Sequence, residues 1–277
     1  SQWMLHVHLA GFLRLLASPR RQQVILIGLY CILMANLFMR SRFQALPASL
    51  QRLNGLEDRL ASGRRIRWIH GVNTLASLES TFSAWGPVND LHGQVAMIEA
   101  DVMPPTKDRP ELYMCHPPCL FGGGLGFQEW LDKVLALCRS SRFPVGIKLD
   151  FKDPLAAEIG LQMVHSRTGQ DGTLGIPVVL NADVLQGPSG GVPVISGEYF
   201  FGLCRKYYPK GALSLGWKTG IPWLFTWLRG YTSAQVDEML DLARKAHTTD
   251  ITFAVRGEFC PNSLTQLKRL LDRNEKH

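Results

Sequence analysis

Charged side chains alternate with apolar ones along two strand-like segments of this sequence. Glu99 and Asp101 lie two residues apart in "MIEADVM". Lys148, Asp150 and Lys152 alternate with apolar residues in "GIKLDFKDP". Since every second side chain of a β-strand points to the same side, each segment has one charged face. That face points either to solvent or into a functional site.

Other strand-like segments also end in polar or aromatic side chains that could do chemistry. These are His70, Asn73, His116, Asn181, Asp183, Trp217 and Arg256. Strands of a parallel sheet are usually buried on both faces, and buried charge is costly unless it is paired or binds a metal. Carboxylates suit a hard cation such as Mg²⁺ or Ca²⁺, imidazoles suit general acid and base catalysis, and lysines suit a phosphate. A metal and phosphate site is therefore predicted, with Glu99, Asp101 and Asp150 as its carboxylates.

The elements that must position these residues alternate between strands and helices. Strands are predicted at 66–72, 95–103, 145–151, 177–185, 212–217 and 251–256, and helices at 74–85, 127–140, 155–165, 197–208, 232–246 and 262–273. This alternation predicts an α/β fold with a parallel sheet covered by helices, either open and doubly wound or closed as a barrel. No glycine-rich phosphate loop follows the first strand, which counts against a nucleotide-binding sheet. The "GGGLG" stretch at 122–126 predicts a flexible loop.

The basic charge of the chain is concentrated near its N-terminus. Residues 1–67 contain 10 arginines and 2 acidic residues, whereas residues 68–277 contain 20 basic and 21 acidic residues. The main domain is therefore close to neutral. A nucleic-acid partner is not expected, because such partners require a basic surface.

The N-terminal part divides into a basic segment at 1–23, an apolar segment at 24–39 and a polar stalk at 40–63. As a helix, the apolar segment would extend over roughly 24 Å, which is slightly less than a bilayer core. Arginines flank it on both sides. We expect a transmembrane or signal-anchor helix, with the domain at 64–277 extracellular or luminal. The alternatives are a signal peptide of a secreted protein and a buried helix.

The six cysteines include no pair with the spacing of a zinc site. Cys115 and Cys119 lie four residues apart in "CHPPC". Structural zinc ligands commonly follow a tighter C-x₂-C pattern, so a metal is not expected here. The cysteines are interpreted as unpaired or structural thiols.

Several motifs, taken in order, resemble the signature blocks of the menorin family. They are "IHGVNT", "MIEADVMPP", "MCHPP", "FQEWL", "GIKLDFKDP", "VVLNADVLQGPSG", "YYPKGALSLGWKTG" and "ITFAVR". By fold similarity, that family is related to the TIM-barrel glycerophosphodiester phosphodiesterases and the spider-venom phospholipase D toxins. The resemblance implies a TIM-barrel-like phosphodiesterase fold. Since the family continues with two more strands, we expect an incomplete barrel of about six of the eight strands, truncated at the C-terminus.

The resemblance also implies roles for the residues of the expected site. His70 and His116 match the two catalytic histidines. Glu99, Asp101 and Asp150 match the ligands of one divalent cation, Mg²⁺ or Ca²⁺. Lys148 and Lys152 resemble lysines that contact the substrate phosphate in the related enzymes. Asn73, Asn181, Asp183, Trp217 and Arg256 are expected to line the pocket.

Two functions follow from these expectations. The first is a metal-dependent phosphodiesterase-like domain that acts on a lipid or a glycerophosphodiester. The second is a non-catalytic recognition module, at the cell surface or secreted, that keeps a relic site and binds cell-surface proteins. The presence of both histidines and all three acids favours the enzyme. The expected partners are a phosphodiester small molecule or phospholipid, and a membrane through residues 24–39.

Overall fold

The computed structural model describes residues 66–85, 95–119, 124–141, 144–220, 229–246, 248 and 250–272. The strands are β1 Ile66–Ile69, β2 Val95–Met103, β3 Tyr113–Met114, β4 Val145–Phe151, β5 Val178–Gln186, β6 Ala212–Lys218 and β7 Ile251–Ala254. The helices are α1 Leu75–Trp85, α2 Phe127–Ser140, α3 Pro154–His165, α4 Gly197–Tyr207, α5 Ser233–Arg244 and α6 Leu264–Asp272, and a 3₁₀ helix covers Gly257–Asn262. The segments predicted at 1–23, 24–39 and 40–63 lie outside the described residues.

Six of the strands form a parallel sheet in the order β1-β2-β4-β5-β6-β7. The short β3 pairs antiparallel with β2 at one end. Apart from β3, each new strand is added beside the previous one. The structure therefore establishes an α/β fold with six parallel strands, and β1 and β7 lie at the two ends of the described sheet.

The strand register separates an apolar face of the sheet from a polar one. On one face, Leu149 is paired with Ala100 and Leu180, and all three are buried. One residue further on, Asp150 is paired with Asp101 and with Asn181. Because side chains alternate along a strand, the polar residues share the opposite face, and they lie side by side on three neighbouring strands.

The apolar face is covered by helices that follow the strands. Phe151 at the end of β4 contacts Phe200 of α4, with ring centroids 6.3 Å apart. Trp130 of α2 is fully buried in the same core. α3 begins directly after β4, because the Asp153 carboxylate accepts a hydrogen bond from the N–H of Leu155 at 2.8 Å and caps the helix. The helix thus fixes the chain immediately after the charged strand.

The structure departs from the sequence-based prediction in several local features. β1 ends at Ile69 rather than residue 72, and β7 ends at Ala254 rather than residue 256. β3 and the 3₁₀ helix were not predicted. The end of the loop expected at 122–126 is held by backbone contacts. The N–H of Gly124 donates to the Met114 carbonyl at 2.6 Å, and Gly126 forms an isolated antiparallel β-bridge with Tyr113. Within the described ranges, no helix combines the length and the apolar composition that a bilayer crossing requires.

Candidate functional site

Lys152 joins the two aspartates at the centre of the polar face. Its ammonium lies 2.9 Å from Asp101 Oδ1 and 2.5 Å from Asp150 Oδ2. Asp101 and Asp150 are register partners on β2 and β4, so their side chains leave the sheet next to each other. Both aspartates are buried. A single cation of the chain is therefore shared by two carboxylates.

Glu99 forms a second group with Lys148 and His70. Glu99 Oε1 lies 2.8 Å from the Lys148 ammonium, and Glu99 Oε2 contacts His70 Nδ1. Trp68 of β1 completes this group, because its ring stacks against His70 at 6.4 Å and lies 5.9 Å from the Lys148 ammonium. The sequence analysis missed Trp68, although its position two residues before His70 was a usable signal.

Asn73 connects the turn after β1 to β2 by two hydrogen bonds. Its Nδ2 donates to Asp101 Oδ2 at 3.0 Å, and its Oδ1 accepts from the N–H of Asp101 at 2.9 Å. The Trp130 indole donates to the Val72 carbonyl at 2.7 Å and supports the same turn. A Cβ on Gly124 would lie 1.7 Å from the Asn73 carbonyl oxygen, so only glycine fits there. Asn73 is therefore held rigidly against Asp101.

Asn181 and Asp183 extend the polar face along β5. Asn181 Nδ2 donates to Asp150 Oδ1 at 2.7 Å, whereas its buried Oδ1 has no hydrogen-bond partner among the described residues. Asp183 lies 4.0 Å from the Lys218 ammonium. A Cβ at Gly216 would lie 2.2 Å from Asp183 Oδ1, so this glycine provides the space for the carboxylate.

His116 lies on an exposed loop beside the buried network. The N–H of Cys115 donates to the Asp101 carbonyl at 3.0 Å, which places the start of this loop next to the central aspartate. A disulfide between Cys115 and Cys119 closes the loop around His116. The interpretation of these two cysteines as unpaired thiols is therefore wrong, whereas Cys138, Cys204 and Cys260 are free.

Trp217 and Arg256 contact residues outside the network. Trp217 is buried in the core, and its ring centroid is 4.8 Å from that of Tyr231. Arg256 Nη1 donates to Thr219 Oγ1 at 2.6 Å, and its Nε lies 3.3 Å from Glu258 Oε1. The structure therefore brings together the acids, the lysines, His70 and the two asparagines, whereas the contacts of Trp217 and Arg256 are with Tyr231, Thr219 and Glu258.

Burial and charge shift the protonation equilibria of the network in opposite directions. Burial lowers the pKa of Lys152, but Asp150 and Asp101 raise it by more, so the net shift is upward. Burial dominates at Lys148 and lowers its pKa, which Asp150 only partly offsets. Burial, assisted by Asp150, raises the pKa of Asp183. Lys152 is thus the firmly protonated member of the group.

The carboxylates match a hard cation in chemical type but not in their present arrangement. Among the described residues, no set of three or more histidine, cysteine, aspartate or glutamate side chains is placed to hold a metal ion. Each of the six carboxylate oxygens instead contacts a nitrogen of Lys148, Lys152, His70, Asn73 or Asn181. Each of these carboxylate oxygens therefore already has a nitrogen partner within the chain.

Comparisons with known proteins identify the family. The family model of the Menorin N-terminal domain matches residues 62–277. The chain belongs to the menorin family. This menorin-family protein is also similar to human Protein FAM151B, with 31% identity over 218 residues that cover 78% of this chain and 71% of the relative. No solved structure matches it.

Proposed function

We propose that this menorin-family protein is a phosphodiesterase-like enzyme that acts on a lipid or a glycerophosphodiester. The observation that carries the proposal is the contact between Glu99 Oε2 and His70 Nδ1 beside a buried lysine. It supplies an oriented imidazole next to fixed positive charge. Phosphodiester cleavage requires both, because a proton must move and anionic oxygens must be stabilised.

Glu99 sets the protonation state of His70 in this proposal. A carboxylate at Nδ1 favours the tautomer that carries its proton there, so Nε2 is the atom that exchanges a proton with the substrate. His116, on the disulfide-closed loop, is the second acid or base. One histidine takes a proton from the attacking hydroxyl, and the other donates a proton to the leaving oxygen.

Lys148 and Lys152 provide the positive charge for the phosphate. Each ammonium has three N–H donors, and the carboxylates occupy only part of them. Asn73 and Asn181 hold Asp101 and Asp150 in place, so the ammonium of Lys152 is fixed as well. Glu99, Asp101 and Asp150 remain the residues predicted to hold Mg²⁺ or Ca²⁺, although their present contacts do not fit that role.

The sheet is proposed to be TIM-barrel-like and incomplete. Its strand order proceeds in one direction, apart from the short β3. A doubly wound sheet instead reverses direction at a switch point, which is where its ligands bind. In a barrel, the carboxyl ends of successive strands surround one site. That arrangement accounts for charged residues on β2, β4 and β5.

The proposed location is extracellular or luminal, either anchored through residues 24–39 or secreted. The Cys115–Cys119 disulfide supports it, because disulfides persist mainly in oxidising compartments. The proposed partners are a phosphodiester or phospholipid and cell-surface proteins, and nucleic acid is not among them.

Turnover of a phosphodiester panel tests the function. The panel contains glycerophosphocholine, lysophosphatidylcholine and bis(p-nitrophenyl) phosphate. His70→Ala and His116→Ala should each lower kcat/KM by ~10²–10⁴-fold, the usual contribution of a general acid or base. The control is His165→Ala, because His165 is exposed at the end of α3 and its Nδ1 contacts the Tyr207 carbonyl. Turnover unaffected by both site variants would contradict the proposal.

A non-catalytic recognition module is the second candidate. The nitrogen contact at every carboxylate oxygen favours it, since carboxylates engaged by the chain's own side chains are less free to hold a catalytic metal ion. Wild-type protein that hydrolyses none of the panel, yet binds a phosphodiester in calorimetry, would identify this module.

A further inference from the structure

The central aspartate pair is already neutralised by a cation of the chain itself. The Lys152 ammonium lies within 2.9 Å of Asp101 and 2.5 Å of Asp150. Its side chain is only 13% exposed. A divalent ion bound by both aspartates would need the same space, because a hard cation lies about 2.0–2.6 Å from its oxygen ligands.

The charge of the network also reduces its demand for a divalent ion. Lys148 and Lys152 offset two of the three carboxylates, and the remaining oxygen of Glu99 contacts His70. At most one negative charge is therefore left for an incoming cation. Calcium sites gain affinity from uncompensated carboxylates, so a compensated cluster is a poor site.

The backbone of Lys152 is fixed next to the aspartate pair. Its N–H donates to the Val102 carbonyl at 3.1 Å, which continues the β2–β4 pairing by one residue. Asp153, the next residue, caps α3. The side chain therefore starts from a fixed backbone position, and its ammonium reaches both aspartates.

We infer that the Lys152 ammonium is the resident cation of the Asp101–Asp150 pair and competes with a divalent metal ion for it. Removing the ammonium leaves two buried carboxylates facing each other, with the unpartnered Oδ1 of Asn181 beside them. Such a set of oxygens is the donor type that Mg²⁺ and Ca²⁺ prefer. The inference rests on the site of the proposed function but not on its turnover.

Calorimetry and thermal unfolding of the full chain test the competition, with MgCl₂ and CaCl₂ added after EDTA treatment and no substrate present. Lys152→Met should bind a divalent ion at least about tenfold more tightly than wild type, which corresponds to about 1.4 kcal/mol. The midpoint of unfolding should rise with the ion in the variant only. The control Lys245→Met removes a surface lysine that lies 3.0 Å from Glu198, and it should behave as wild type.

The outcomes of this experiment distinguish competition between Lys152 and a metal ion from the proposed phosphodiesterase function. The inference is overturned if wild type binds the divalent ion as tightly as Lys152→Met does. It is also overturned if the variant shows no gain in divalent-ion affinity. A Lys152→Met protein that folds only with a divalent ion supports it, whereas one that stays unfolded under both conditions overturns it. Because no substrate is used, loss of the proposed enzymatic function leaves this result unaffected.

Discussion

The role of an individual residue in the site depends on the residues it contacts as well as on its own side-chain type. Glu99 illustrates this, because its two oxygens contact different partners, the His70 imidazole at one oxygen and the Lys148 ammonium at the other. Sequence alone suggested a metal ligand at this position. In the structure this carboxylate contacts an imidazole, and sequence spacing does not reveal that contact because His70 follows β1 whereas Glu99 lies on β2.

Asp183 provides a prediction about pH. Burial raises its pKa above the ordinary value of 3.8, so the folded state binds this proton more tightly than the unfolded state. The protonated Asp183 carboxyl therefore contributes fully to folding stability below pH 3.8, and this contribution is lost as the pH rises through the raised pKa. Asp183→Asn should therefore become increasingly stabilising in urea unfolding, relative to wild type, as the pH rises from 3.8 toward the raised pKa of Asp183.

Asp132→Asn is the matched control for this measurement. The hydrogen bonds from Arg167 lower the pKa of Asp132, so its stabilisation is present above the unfolded value of 3.8 and is lost only at lower pH. Its effect should be destabilising and nearly constant over the same pH window. A flat difference for Asp183→Asn as well would show that the Asp183 carboxylate is not penalised by burial.

At the scale of elements, hydrophobic periodicity predicted the regular parts well. β2, β4 and α2 begin and end at the predicted residues. α2 was clear because its buried residues recur at helical spacing, as Trp130, Val134 and Cys138 show. β3 could not be predicted, since two residues are too few for a period and its pairing with β2 is set by the fold.

The candidate site was predictable only in part for the same reason. Strand alternation placed Asp101 and Asp150 on one side of their strands, but it could not specify register. Their pairing therefore emerged only from the sheet. The Cys115–Cys119 disulfide was missed because a spacing of four matched no known framework, although both residues flank the His116 loop.

Breaking this disulfide should loosen the His116 loop without disturbing the sheet. Closing so short a loop removes limited entropy from the unfolded chain, about 2 kcal/mol in the loop-closure model. The double variant Cys115→Ser/Cys119→Ser should lose roughly this much stability in urea unfolding. Amide exchange should accelerate in the peptide that contains His116 and remain unchanged in β4.

Cys260→Ser is the control for the double variant, because Cys260 is a free thiol remote in sequence from the loop. It should leave exchange of the His116 peptide unchanged. If the double variant instead accelerates exchange throughout β2 and β4, the disulfide holds the sheet together rather than the loop alone.

At the scale of the whole described domain, local stability against opening should decrease from the central strands of the sheet to its outer strands. All seven residues of β4 are buried, whereas only Ile251 is buried among the four of β7. β4 and β5 also have hydrogen-bonded strands on both sides. Regions with more buried contacts and paired backbone groups open less often, so stability should follow this gradient.

Hydrogen exchange measured by mass spectrometry checks this gradient. Peptides from β4 and β5 should exchange slowest, and those from β1 and β7 should exchange at least about tenfold faster. Protection of β7 equal to that of β4 would mean that its outer edge is paired in solution. The measurement therefore also reports whether something covers the ends of the described sheet.

The junction between β4 and α3 constrains which length changes the chain tolerates. Lys152 pairs with β2 through its backbone and Asp153 caps the helix, so two residues connect the strand to the helix. One inserted residue would turn the lysine side chain to the opposite side of the sheet and would separate the helix from its cap. Homologues that keep this site are therefore expected to carry substitutions at this junction but no insertions or deletions. A gap in an alignment at this junction would mark a lineage in which the site has been lost.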